Sequence, residues 1–275
     1  MTEIIEDFEA LKEKIKDIEN FEIISEILDN IKSDKSKEDI INCINACTSP
    51  VNVKEGGDIK TIFKAFSLFP IKETRVLILG QDPYPDEGRA HGYAFSFGDN
   101  KRPAEDSLLN IFKALQAYKT NQAFDKIENS EVESWGTNLA TWANNNGILL
   151  LNTALTYESK EKTDTHIEAW RPFIKEVIKN LLTCSNDKLV IFLWGDKAKA
   201  TFFDLIKEKK TYMPIQREML VLISNHPSNS SVNRGGNFPI LAPNHFKACD
   251  EFLKKPVWKN LVPSQKAEQT NRQKE

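Results

Sequence analysis

Four short apolar runs punctuate the chain, and each is stopped by glycine or a polar side chain. Val76–Leu79 runs into Gly80-Gln81-Asp82, Ile148–Leu151 into Asn152, Leu189–Trp194 into Gly195, and Met219–Ile223 into Ser224-Asn225-His226. Runs this short, without polar alternation, predict strands covered on both faces. Before, between and after them apolar residues recur every three or four positions, which predicts helices over Ile59–Phe69, Ser107–Tyr118, Asn138–Asn145, Trp170–Leu182, Lys197–Ile206 and Phe246–Leu253. Gly88–Phe97 reads as an apolar-rich second edge. Strands alternating with helices predict an α/β fold: a central, mainly parallel four-stranded sheet with helices on both faces.

Upstream, Ile4, Phe8, Leu11, Ile15 and Ile18, then Phe21, Ile24, Ile27, Leu28 and Ile31, fall at helical spacing with charges on the opposite face. A break at Ser33–Ser36 leads to a third short helix over Lys37–Ala46. The expected organisation is a helical extension over residues 1–57, a main α/β domain over 58–260 and a polar, disordered tail over 261–275.

The most informative strand end is Gln81-Asp82-Pro83-Tyr84-Pro85. Two prolines that donate no N–H stop the strand there and set its polar residues on a stiff turn. Parallel strands share one carboxyl edge, where ligands bind in open α/β sheets, so Asp82, Asn152, Gly195 and His226 can converge on one pocket. Taken singly, each has a plain structural role: Asp82 as a turn-former, Asn152 as a strand-end cap, Phe95 in the core, His226 as a satisfied buried histidine. Together they suit a flat heterocycle. Asn offers a donor and an acceptor side by side, an aromatic offers a stacking face, a histidine can donate to developing negative charge, and a carboxylate can position water. There is no nucleophile elbow, no phosphate-cradling glycine loop with lysine and no His/Cys set at metal spacing. The expected chemistry therefore needs neither metal nor cofactor.

Composition narrows the partners. Lys+Arg 37 against Asp+Glu 40 gives a net charge of −3, so bulk positive charge does not hold this protein on nucleic acid, and any such contact must be a local groove. Cys43, Cys47, Cys184 and Cys249 are too scattered for a disulfide framework or a metal cluster and read as small buried hydrophobes. His91, His166, His245, Tyr93 and Phe97 read as structural. With no long apolar run and no signal-peptide pattern, the expectation is a cytoplasmic monomer that does not engage membranes.

Gly80-Gln81-Asp82-Pro83-Tyr84, followed by Ala90-His91-Gly92-Tyr93-Ala94-Phe95-Ser96, resembles the water-activating and base-stacking region of family 1 uracil-DNA glycosylases. Leu149–Thr156 resembles their uracil-reading strand, and His226-Pro227-Ser228 with Asn233-Arg234-Gly235-Gly236 resembles their third motif. The resemblance spans roughly residues 58 to 253. It implies a monofunctional hydrolase that extrudes uracil from DNA and leaves an abasic site. Asp82 would orient the attacking water and stabilise the cationic sugar. Gln81 would line the base pocket, Tyr84 would exclude the thymine methyl, and Phe95 would stack on the base. Asn152 would pair with uracil N3–H and O4, and His226 would donate to O2. Ser107, Ser228 and Arg234 would meet DNA, with Lys101 and Arg102 as basic neighbours.

The DNA grip departs from the family pattern. Pro85 stands where a phosphate-contacting histidine is usual, Ser230 where a leucine wedge is usual, and Asp196 where a small hydroxyl residue is usual; the proline-rich loop before Ser107 is reduced to Pro103. The substrate expected is uracil-containing DNA with a bias to single strands. The alternative is a catalytically weak or inactive homologue that binds nucleic acid or protein.

Overall fold

The computed structural model describes residues 4–52, 55, 57–86, 88–98, 103–184, 188–207 and 217–261. Lys101, Arg102 and the tail beyond Leu261 lie outside the described residues. The sheet contains β1 (Val76–Gly80), β2 (Ile148–Asn152), β3 (Lys188–Trp194) and β4 (Glu218–Ser224). They run in the order β2-β1-β3-β4, and every pairing is parallel. Gly80 pairs with Asn152, and Trp194 with Ser224, so the four carboxyl ends share one edge.

Every residue of β1 and β2 is buried, as continuous apolar runs require. β4 is an edge strand and differs: Met219–Leu222 are half-buried, and Glu218 and Ile223 are exposed. Nine helices occur among the described residues: α1 (Phe8–Ile15), α2 (Phe21–Asn30), α3 (Asp34–Ala46), α4 (Asp106–Thr120), α5 (Ala140–Asn146), α6 (Thr163–Thr183), α7 (Asp196–Lys207), α8 (Asn229–Asn233) and α9 (Phe238–Leu253). Two aromatic clusters fill the layers beside the sheet. Phe63, Phe66, Trp170 and Phe173 meet edge to face. Phe112, Trp142, Phe192, Phe246 and Trp258 form the second cluster.

Several elements differ from the sequence expectation. Gly88–Phe97 forms no strand or sheet edge; its described residues are turns and bends that fold over the end of β1. Ile59–Phe66 is a 3-10 helix that stops short of Phe69. The helix expected at Trp170 begins at Thr163, because its first turn is polar and carries no apolar period. The closing helix begins at Phe238 instead of Phe246. Pro239 sits in its first turn, where a missing N–H costs nothing, while Pro243 sits inside the helix and obscures the pattern.

Asn20 is a buried polar tie between the N-terminal helices and the body, beside the exposed Lys60–Asp17 ion pair at 2.6 Å. Buried Asn20 donates to the carbonyls of Phe66 and Phe69, the latter at 2.8 Å, and accepts from the Ile71 N–H at 2.8 Å. The apolar faces of α1, α2 and α3 join the same core as the sheet. No helix among the described residues is long and apolar enough to cross a membrane.

Candidate active site

The carboxyl edge of the sheet opens into a cleft of about 400 Å³, a size typical of small-ligand sites. Gln81, Asp82, Tyr84, Phe95, Asn152 and His226 all line it, as does Ser107 at the start of α4. The structure therefore brings together seven of the nine residues singled out from the sequence. The other two, Ser228 and Arg234, cap the two ends of α8 and are not among the lining residues.

Asp82 follows Gly80 and Gln81 out of β1. The loop after β2 laces this turn down: Gly80 O accepts from Thr153 N–H at 3.0 Å, and Gln81 O accepts from Ala154 N–H at 2.9 Å and from Thr153 Oγ1 at 2.7 Å. Burial pushes the Asp82 carboxyl up to about 6, against weaker opposing help from the Thr163 hydroxyl, 3.4 Å from Oδ2, and from Gln81. A carboxylate at that position is a base poised near neutrality.

Asn152 ends β2, is buried, and makes no side-chain hydrogen bond among the described residues. Its amide crosses directly over Gly80: a Cβ there would lie 2.3 Å from Asn152 Oδ1 and 2.9 Å from Ala94 Cβ. Glycine is thus required at 80 for the amide to face the cleft. Gly80→Ala is expected to cut turnover at this cleft by roughly 10²-fold while leaving the far-UV circular dichroism spectrum unchanged. An alanine variant with full rates in single-turnover kinetics would show that the amide's placement is immaterial.

Phe95 adopts φ 60, the left-handed region that non-glycine side chains avoid at a cost of roughly 1–2 kcal/mol. That backbone places its ring 5.9 Å from Trp194 and 6.0 Å from the His226 ring, on the cleft wall. Tyr84 is held equally firmly. It meets Phe97 edge to face at 5.1 Å, and the Arg89 guanidinium lies 5.2 Å from its ring. Arg89 is itself engaged by Asp86 at 2.7 Å and by Glu105. Ser49, beyond the end of α3, donates from Oγ to Tyr84 O at 2.5 Å.

His226 Nδ1 accepts from the Ser228 N–H at 3.1 Å, so the neutral ring carries its proton on Nε2. Burial lowers its pKa, with Asp106 opposing. Gly195, at φ 110, leaves room for the ring: a Cβ there would lie 3.0 Å from His226 Cδ2. The loop that follows is pinned to α4. Asn110 donates to Pro227 O at 2.7 Å and to Asn229 Oδ1 at 2.9 Å, and Asp106 accepts from the Asn229 N–H.

Ser228 caps α8, its Oγ accepting from the Ser231 N–H at 3.4 Å, and its own N–H fixes the histidine. Arg234 folds back on Ser230, donating to its O and Oγ at 2.8 Å each. Asp196 opens α7 and pairs with Lys199 at 2.7 Å, which holds its carboxyl below the usual range. His91 contacts Ser96 Oγ at 2.7 Å, and burial takes its pKa down to about 4. Likewise His245 lies beside the Trp194 indole, and burial lowers it to about 4. Four lining residues went unnoticed in the sequence: Asp106, Tyr157, Lys160 and Thr163. Three of them lie between the end of β2 and the first turn of α6, and the general rule that segments leaving the carboxyl edge build such sites was the available signal. Among the described residues no group of three or more His, Cys, Asp or Glu is arranged to hold a metal ion.

Comparison with known proteins gives a consistent result. The family model described as the uracil DNA glycosylase superfamily matches residues 66–254. A uracil-DNA glycosylase of Sulfurimonas denitrificans is 38% identical over 204 residues, 74% of this chain and 78% of that protein. One from Borreliella burgdorferi is 33% identical over 203 residues, 74% of this chain and 79% of that protein. Among solved structures, the mimivirus uracil-DNA glycosylase aligns with a TM-score of 0.59 at 22% identity, covering 90% of this chain and 85% of that one, a likeness of fold.

Proposed function

The chain belongs to the uracil-DNA glycosylase superfamily, and from that premise we propose how its cleft performs the reaction. It is an enzyme that removes uracil from DNA. We infer a family 1 member that works as a cytoplasmic monomer, with residues 58–260 as the catalytic unit and the preceding helices buttressing it through Ser49. The observation that carries this reading is the Asn152 amide, buried, unpartnered and laid over Gly80 in the same cleft as Asp82 and His226.

In this reading the uridine swings out of the stack, because its glycosidic bond is inaccessible within a duplex. Asn152 pairs with N3–H and O4, a pattern that cytosine reverses. Phe95 stacks on the ring, and Tyr84, wedged by Phe97 and Arg89, occupies the space a 5-methyl group would need. Gln81 borders the base. The C1′–N1 bond breaks, its electrons pass into the uracil ring, and Nε2–H of His226 donates to O2 as it becomes anionic. Asp82 stabilises the cationic sugar and orients a water whose oxygen bonds to C1′ and whose proton the carboxylate accepts. Residues of this chain suffice for each step.

The grip on DNA differs from the pocket. Ser230 is small, polar and tied to Arg234, so it supplies no apolar wedge to offset unstacking, which costs a few kcal/mol per step. The expected result is faster uracil release from single strands and mismatches than from a U·A duplex, read by alkaline cleavage of labelled oligonucleotides at the abasic site. Equal turnover of the two substrates at moderate salt overturns the preference, and no release from either overturns the activity.

A further inference from the structure

Among the described residues, the cleft is lined by two carboxylates, Asp82 and Asp106, and by one lysine, Lys160. A polyanion must nevertheless enter it, on a protein whose net charge is −3. Most cations nearby are already engaged. Arg89 is held by Asp86 and Glu105, Lys197 by Asp164 at 2.8 Å, and Lys199 by Asp196. Lys160 is exposed and forms no ion pair among the described residues.

Its base is fixed. Tyr157 pairs with Ser49 in an isolated bridge, its N–H donating to Ser49 O at 2.8 Å while Thr48 N–H donates to its carbonyl at 2.9 Å. Lys160 opens the short 3-10 turn Lys160–Lys162, and Thr163, the first residue of α6, reaches Asp82. Ser49 Oγ also donates to Tyr84 O, so the loop that carries Lys160 and the turn that carries Asp82 are joined through one residue, by its backbone and its side chain respectively.

We propose that Lys160 binds the DNA phosphate beside the flipped uridine on the β2 side of the cleft, a contact that replaces the donor Pro85 cannot supply. Arg234 stands beyond β4, the other end of the sheet. Three strand spacings, about 14 Å, separate β2 from β4. Half-buried Tyr157 lines the same lip and offers a face to the neighbouring base.

This inference rests on the reading of the cleft as a uracil-excision site, and its test separates the two. Binding of a non-cleavable uracil single strand is followed by fluorescence anisotropy across a salt series, alongside excision kinetics. For Lys160→Ala the expected results are a KM raised about fivefold at low salt and a log K against log salt slope shallower by about 0.7, one phosphate on a single strand. Lys160→Arg should restore the slope, and Lys160→Glu should weaken binding further. Wild-type excision with a slope indifferent to all three substitutions overturns the inference alone. Lys160-dependent binding without excision upholds the inference and overturns the chemistry, and absence of both binding and excision overturns both.

Discussion

Asp82→Asn is expected to slow uracil release by roughly 10²–10⁴-fold and, at the same time, to make the folded protein more stable at neutral pH. Both effects have one cause. Burial holds the carboxyl at about 6 in the fold, against 3.8 for the unperturbed group. Between those values the folded state binds more protons than the unfolded state, so wild-type stability falls as pH rises through that window. The penalty is fully present above about pH 6 and absent below 3.8. Asparagine has the same shape and no charge to desolvate, so the variant should gain about 1–3 kcal/mol at pH 8, a rise of several degrees in Tm. The two melting curves should converge below pH 4. In the wild type, kcat/KM should fall about tenfold per pH unit below about 6 as the base is protonated. A variant that is inactive and also less stable at pH 8 would mean that Asp82 acts as a structural turn residue.

That the pocket was legible in the sequence follows from how parallel sheets are built. Short continuous runs such as Ile148–Leu151, stopped by a polar residue, read as strands of a parallel sheet, and the residues that stop them emerge on one edge. Asp82, Asn152 and His226 were readable for that reason. Other features have no local signal. The left-handed backbone of Phe95 is imposed by its packing on Trp194 and not by any preference of phenylalanine. The turns of Gly88–Phe97 look like a strand in composition, because apolar residues there cover the end of β1 instead of pairing with it. Asp106, at the start of α4, and Lys160, at the start of a 3-10 turn, are ordinary surface residues until tertiary contacts bring them to the cleft. Gly80 could be seen as a turn residue, yet its actual requirement, room for the Asn152 amide, exists only across two strands.

His226→Ala is the second large effect expected, roughly a 10²–10³-fold loss, the usual consequence of deleting one donor to a developing oxyanion. What the structure adds is the charge state of that donor. Nδ1 is occupied by the Ser228 N–H and Nε2 is left to carry the proton. Burial meanwhile lowers the pKa, so the ring meets its substrate neutral above the acid range. A cationic donor would lose its proton as pH rises past its pKa, and the rate would fall on the alkaline side. A neutral donor keeps Nε2–H throughout. The rate of chemistry measured in single turnovers should therefore stay flat from about pH 7 to 9. His226→Gln, which retains an N–H of similar reach, should recover part of the loss, and Gly195→Ala, which crowds the ring at 3.0 Å, should forfeit part of it with His226 intact. An alkaline decline near the ordinary histidine pKa that disappears in His226→Ala would instead identify the imidazolium as the donor and overturn the neutral assignment.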